Sequence, residues 1–201
     1  VLRDGRRGAA RVAGVGDDVD ELFRDRHPAV APDTTLMYVA NPNNPTGTYL
    51  GAAALEHFLE RVPARVVVVL DEAYNEYLPP ELRIDTVAWV RRFPNLLVSR
   101  TFSKAYGLAG LRVGYGLAQP QLTDLLNRVR QPFNVNSLAQ AAAVAALADA
   151  DYLARSYELN RAGMRSLTEA FDALGLPYVE SHGNFVLVQV GNGARVYQAL
   201  L

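Results

Sequence analysis

Hydrophobic positions along the chain switch repeatedly between a strand-like and a helix-like spacing. Thr35 to Ala40 (TLMYVA) predicts a strand, followed by a loop rich in Pro and Asn. Leu55, Phe58, Leu59 and Val62 recur at i, i+3, i+4 and i+7, which predicts an amphipathic helix over 51–62. Arg65 to Leu70 (RVVVVL) sets five apolar residues after an Arg, β-branched until the last. Such a run is expected to be a strand buried on both faces, as parallel sheets require. Asn95 to Ser99 and Arg112 to Leu117 are further predicted strands. Ser137 with Gln140 forms a capping-box pattern, so a helix is expected to start there and run through the Ala-rich stretch. Leu167, Ala170, Phe171 and Leu174 mark the inner face of a long helix ending at Gly175. After Pro177 the pattern predicts a strand over Asn184 to Val190 and a short terminal helix.

Strands alternating with helices are the signature of an α/β fold with a mostly parallel sheet. The change of pattern late in the chain places a domain boundary inside the long helix, near residue 155. Residues 1–155 are read as part of one large domain, and 156–201 as a connecting helix and the start of a small α+β domain.

Composition then removes whole classes of function. Formal net charge is −1 with Lys and Arg spread along the chain, so there is no basic stripe for nucleic acid. Cysteine is absent, which excludes a disulfide framework and thiolate metal sites. No apolar run approaches the ~18 residues of a membrane span. The first residues, Val-Leu-Arg-Asp-Gly-Arg-Arg, have neither an initiator Met nor an apolar stretch and are not a signal peptide. They read as the interior of a longer chain, and a cytoplasmic location is expected. His27, His57 and His182 have no ligand spacing and are expected at the surface, leaving no metal site. Gly14-Val15-Gly16 lacks the third glycine of a dinucleotide fingerprint, since position 19 is Val, and no G-x-S-x-G elbow occurs.

Three clusters carry candidate chemistry, each directly after a predicted strand. Asp71 ends the VVVVL run, where open α/β sheets bind ligands; on its own it could equally cap the next turn. An apolar strand ending in Asp-Glu also suits a nucleotide-binding Walker B strand, but the phosphate loop G-x-x-x-x-G-K-[ST] that this needs is missing from the sequence. NPNNPTG at 41–47 forces a rigid loop and offers Asn side chains to a ligand oxygen. TFSKAYGLAGLRVGY at 101–115 sets Lys104 between hydroxyl residues and a Gly-rich apolar segment with no further charge until Arg112. Desolvation in such a place disfavours the ammonium form, and a neutral amine is what Schiff-base chemistry needs. Thr101, Ser103 and Arg112 offer two hydroxyls and a guanidinium fork to a phosphate.

An amine, an acid, hydrogen-bond donors and a phosphate cradle together match what pyridoxal 5'-phosphate asks of a protein. NPNNPTG, VVVVLDEAY and SRTFSKAYGLAGLRVGY, in this order, resemble the fold-type I aminotransferases, and most of all the histidinol-phosphate aminotransferases. RQPFNVNSLAQAAA at 130–143 and SHGNFVLV at 181–188 resemble them as well. The resemblance, which runs from about residue 33 to the end, implies a three-layer α/β/α large domain plus the start of a small domain. It implies that Lys104 is the Schiff-base lysine and general base, and that Asp71 pairs with the pyridine nitrogen. Tyr74 and Asn44 would bind the phenolic oxygen, and Thr101, Ser103 and Arg112 the phosphate. The implied reaction is amino transfer from L-histidinol phosphate to 2-oxoglutarate in histidine biosynthesis, by a cytoplasmic homodimer. An aromatic amino acid aminotransferase, a decarboxylase of the same fold and a non-catalytic remnant are the alternatives. Members of this family are longer. The resemblance therefore implies an internal piece, without the family's upstream phosphate-binding helix and ring-stacking aromatic, and without the Arg that holds the substrate's anionic group.

Overall fold

The computed structural model describes residues 11–12 and 30–201. Gly14, Gly16 and His27 lie outside them. Five strands form one sheet in the order β1 (Arg11–Val12), β2 (Leu36–Ala40), β3 (Val67–Asp71), β4 (Leu96–Thr101) and β5 (Gly114–Leu117). The first four run parallel and β5 is antiparallel to β4. Helices α1 (Ala52–Arg61) and α2 (Thr86–Arg92) fill the crossovers before β3 and β4. The fold is α/β with a mixed, mostly parallel sheet.

Side chains along β2 and β3 alternate strictly in burial, as do those of β4 up to Ser99. Met37, Val39, Val68, Leu70, Leu96 and Val98 pack against Leu55, Phe58 and Leu59 of α1 and Val90 of α2. Each such side chain contributes roughly 1.5–3 kcal/mol by leaving water. The other face, carrying Tyr38, Val69, Asp71 and Ser99, is only half-buried among the described residues. This corrects the expectation that the VVVVL strand is covered on both sides. An unbroken run of valines cannot report which face a helix covers.

Two predicted elements begin elsewhere for local reasons. Arg112 adopts a left-handed conformation (φ 52°) at the end of a 3₁₀ turn, so β5 starts two residues later than the apolar run suggested. The Ala-rich helix α4 (Ser137–Ala148) does begin at Ser137, but Asn136 caps it by accepting from the Ala139 amide at 2.8 Å. The Gln140 side chain instead donates to the Val135 carbonyl. Helices α2 and α3 (Pro120–Val129) were not foreseen. Helix α5 (Ala150–Ala173) runs unbroken through residue 155, capped by Asp149. A two-stranded antiparallel sheet follows, β6 (Tyr178–Val179) with β7 (Leu187–Val188), then α6 (Gly193–Leu200). The strand expected over 184–190 is thus reduced to its middle.

A buried charge cluster ties α2 to the end of the sheet. Glu72, 3% exposed, accepts from Arg100 Nε at 2.8 Å and from the Thr86 hydroxyl at 3.0 Å. Burial raises the Glu72 carboxyl above its usual range, and Arg100 opposes that shift. Removing one member leaves the other charge stranded in the protein. In the whole protein, Arg100→Ala is expected to cost about 3–5 kcal/mol, read from the denaturant midpoint. An Arg100→Met, Glu72→Leu double variant should recover most of that loss. A single variant as stable as wild type would mean that water reaches the pair.

Candidate active site

The parallel register sets Ala40, Asp71 and Ser99 side by side at the carboxyl edge of β2, β3 and β4. Loops carrying the chemical motifs leave the sheet there. The 41–47 loop folds around Asn41, which is buried; its side chain donates to the Leu50 carbonyl at 3.0 Å and accepts the Leu50 amide at 2.7 Å. That anchoring sends Asn44 outward, where Nδ2 donates to the Tyr74 hydroxyl at 2.8 Å. The Tyr74 oxygen thus has its acceptor role taken, and its own hydrogen is left for another partner.

Tyr74 is 5% exposed, and its ring lies under the Lys104 amine, Nζ being 5.4 Å from the ring centroid. A cation over an aromatic face is held by the ring's quadrupole. Lys104 itself is exposed. The desolvated setting expected for it is not present among the described residues, because the Tyr74 ring shields it on one side only. The loop that carries it is closed tightly: Gly107 donates to the Lys104 carbonyl at 2.9 Å, and Leu108 to the Phe102 carbonyl at 2.9 Å. Phe102 packs in turn on Ala139 and Ala143 of α4.

A second group forms beside it. The Ser103 amide donates to Thr101 Oγ1 at 3.1 Å, and Arg112 Nη1 donates to Ser103 Oγ at 3.4 Å and to the Ala109 carbonyl at 2.7 Å. The left-handed backbone at Arg112 turns its side chain back over this hydroxyl pair. The structure therefore gathers six of the seven expected residues into two groups, Asn44–Tyr74–Lys104 and Thr101–Ser103–Arg112. The hydrogen bonds of the Asp71 carboxylate go to neither group. Its Oδ1 accepts the Ala73 amide at 3.0 Å, and its Oδ2 accepts the Tyr38 hydroxyl.

Residues 181–185 complete the surroundings. Phe185 meets Tyr74 edge-on at 5.3 Å between centroids, and the His182 amide donates to the Gly47 carbonyl at 2.8 Å. The His182 ring, half-buried, lies 5.4 Å from that of Tyr49. Tyr38, Phe185 and Ser181 were not identified as site residues; Ser181 and Phe185 lie in the SHGNFVLV segment that carries part of the resemblance, but only the packing brings them here. A cavity of about 430 Å³ lies between α5 and residues 178–183 and is lined by none of the seven.

These donors fit pyridoxal phosphate in kind: an amine, an acid, a hydroxyl–amide pair, and two hydroxyls beside a guanidinium. The aminotransferase class I and II profile matches residues 13–201. The chain belongs to the aminotransferase class I and II family. It is 69% identical over 190 residues to histidinol-phosphate aminotransferase 2 of Ralstonia nicotianae, covering 92% of this chain and 50% of that protein. It is 67% identical over 190 residues to histidinol-phosphate aminotransferase 1 of Cupriavidus pinatubonensis, with the same coverage. Its structure resembles the crystal structure of histidinol-phosphate aminotransferase from Sinorhizobium meliloti in complex with pyridoxal-5'-phosphate, with TM-score 0.79 and 33% identity, over 94% of this chain and 50% of that one. The chain spans about half the length of the curated relatives it matches.

Gly47 holds the contact between the 41–47 loop and residues 181–183. Its φ is +81°, and a Cβ there would lie 2.1 Å from Ser181 Oγ and 2.8 Å from Ser181 Cα. Gly47→Ala in the whole protein is expected to cost at least about 1–2 kcal/mol for the left-handed backbone alone, seen as a lower unfolding midpoint. Adding Ser181→Gly should restore part of it, since the clash with Cα remains. Full restoration would show that the backbone conformation is cost-free.

Proposed function

We propose that this chain is part of an enzyme that uses pyridoxal 5'-phosphate to transfer an amino group from L-histidinol phosphate to 2-oxoglutarate in histidine biosynthesis. The observation that carries the reading is the Asn44–Tyr74–Lys104 arrangement at the carboxyl edge of a parallel sheet, with a hydroxyl–guanidinium group beside it. High identity to proteins named histidinol-phosphate aminotransferase supports the choice of donor. When bound, the cofactor supplies an electron-withdrawing ring that accepts the charge left as an amine's Cα loses its proton.

Each residue then has one task. Lys104 Nζ would hold the cofactor and would carry the proton taken from substrate Cα. Asp71 presents its carboxylate to the ring N–H. Tyr74, with its acceptor role filled by Asn44, donates its hydrogen to the phenolic oxygen, and Asn44 fixes the direction of that donation. Thr101, Ser103 and Arg112 bind the phosphate, which fixes the position of the group that Lys104 must reach. The enzyme is proposed to be a cytoplasmic homodimer, with a large domain over 1–155 and a connecting helix and small domain beginning at 156. No helix among the described residues is long and apolar enough to cross a membrane.

The substrate assignment is tested with the full-length enzyme offered L-histidinol phosphate, phenylalanine or tyrosine, with 2-oxoglutarate as acceptor. Glutamate should form fastest from L-histidinol phosphate, without carbon dioxide release. Preference for an aromatic amino acid, or carbon dioxide as product, would sink it in favour of the related activities.

The phosphate assignment makes a separate prediction. Arg112→Ala removes a charge-assisted hydrogen bond worth roughly 1.5–3 kcal/mol, so cofactor affinity should fall about tenfold to a hundredfold. Arg112→Lys should recover only part, because a point charge lacks the fork. Equilibrium dialysis of the cofactor decides it, and equal affinities for wild type and the Ala variant would refute the role.

A further inference from the structure

Asp71 is the one proposed site residue joined to neither group, and its hydrogen bonds lead to a residue that the function proposed above leaves without a task. Tyr38 lies on β2 two positions before Ala40, and Ala40 is the register partner of Asp71. Tyr38 and Asp71 therefore project from the same half-buried face of the sheet, on neighbouring strands. A phenol is long enough to reach diagonally across that spacing. Its hydroxyl donates to Asp71 Oδ2, while the Ala73 amide donates to Oδ1 at 3.0 Å.

We propose that Tyr38 is a positioning residue that fixes the plane of the Asp71 carboxylate, so that its oxygens meet the cofactor's ring N–H in line. This deepens the reading of Asp71 given above and rests on it. Each carboxylate oxygen has two lone pairs. With one on each oxygen used inside the protein, the carboxylate cannot rotate about Cβ–Cγ, and the remaining lone pairs are left for a donor arriving from the sheet edge. Ala73 alone holds one oxygen, about which the group can still swing. Tyr38 supplies the second point. Burial, and then the bond to Asp71, push the Tyr38 phenol well above its usual range, so it keeps its hydrogen and its role as donor throughout the working pH of an enzyme. Tyr38 touches no reacting atom in this scheme. It acts through Asp71, as outer residues orient ligating groups elsewhere.

The test uses the full-length enzyme, with Tyr38→Phe, Asp71→Asn and the double variant. Tyr38→Phe keeps the ring and its packing and removes only the donor. The first readout is the pH titration of the bound cofactor's visible absorbance without substrate; the second is the cofactor dissociation constant. Tyr38→Phe is expected to move the titration midpoint in the direction in which Asp71→Asn moves it, by a smaller amount. It should also weaken cofactor binding about threefold to tenfold, as a partly lost charge-assisted hydrogen bond would. The double variant should match Asp71→Asn alone, because Tyr38 has nothing to position once the carboxylate is gone. In turnover, kcat should fall while KM for the amino donor stays within about twofold, since the donor is not touched. The unfolding midpoint of the cofactor-free protein should stay close to wild type. If Asp71→Asn shifts the titration and Tyr38→Phe leaves it at the wild-type midpoint, the positioning role is overturned and Asp71 keeps its own. A further loss from Tyr38→Phe in the Asp71→Asn background would also overturn it, by showing that Tyr38 acts elsewhere. If Asp71→Asn itself leaves the titration unchanged, the reading of Asp71 fails and the role of Tyr38 falls with it.

Discussion

A parallel strand cannot return through a tight turn, so each crossover leaves the sheet at the same edge and re-enters at the other. In this chain that constraint organises everything else. The segments following β2, β3 and β4 begin with Asn41, Glu72 and Phe102, and each of the candidate motifs lies at the end of one of these strands. Hydrogen bonds between strands set Ala40, Asp71 and Ser99 in one row, so groups distant in sequence become neighbours with no contact of their own needed. Core packing of α1 and α2 against the opposite face makes that row rigid.

Rigidity at the edge is reinforced by buried polar groups that do no chemistry. Asn41 satisfies the backbone of the loop that presents Asn44, and Glu72 with Arg100 and Thr86 anchors the strand ends that present Asp71 and Thr101. Neighbouring positions thus divide their tasks. Glu72 turns inward and is buried, while Asp71 beside it stays half-buried. The alternation of a strand continues into its loop for a residue or two, and this is what separates Glu72 from Asp71.

Segments late in the chain return to the same edge. Phe185 packs on Tyr74, and the 181–183 turn closes on Gly47, so the element following α5 contributes to the surroundings of residues more than a hundred positions earlier. Lys104 remains on the open side of this arrangement, with the Tyr74 ring beneath it. Its amine is held in place by contact with a ring, and burial plays no part among the described residues.

Local pattern determined the α/β class, the amphipathic helix α1 and the strands β2, β3 and β4, though not α2 or α3, because periodicity is a property of neighbouring positions. It also marked where each motif begins, since Pro, Gly and Asn punctuate the ends of strands. What it could not determine depends on partners distant in the chain. A run of valines reads the same whether one face or two are covered, and only the packing of α1 and α2 distinguished them. The start of β5 turned on one left-handed residue, Arg112, whose conformation follows from the loop that it closes. Tyr38 looked like any aromatic in a strand, and its meaning arose from register, which joins it to a carboxylate 33 positions later. The exposure of Lys104 was misjudged for the same reason. Desolvation is set by what folds over a side chain, and Phe102, Tyr106 and Leu108, close to Lys104 in sequence, pack in the cluster with Ala139 and Ala143 of α4.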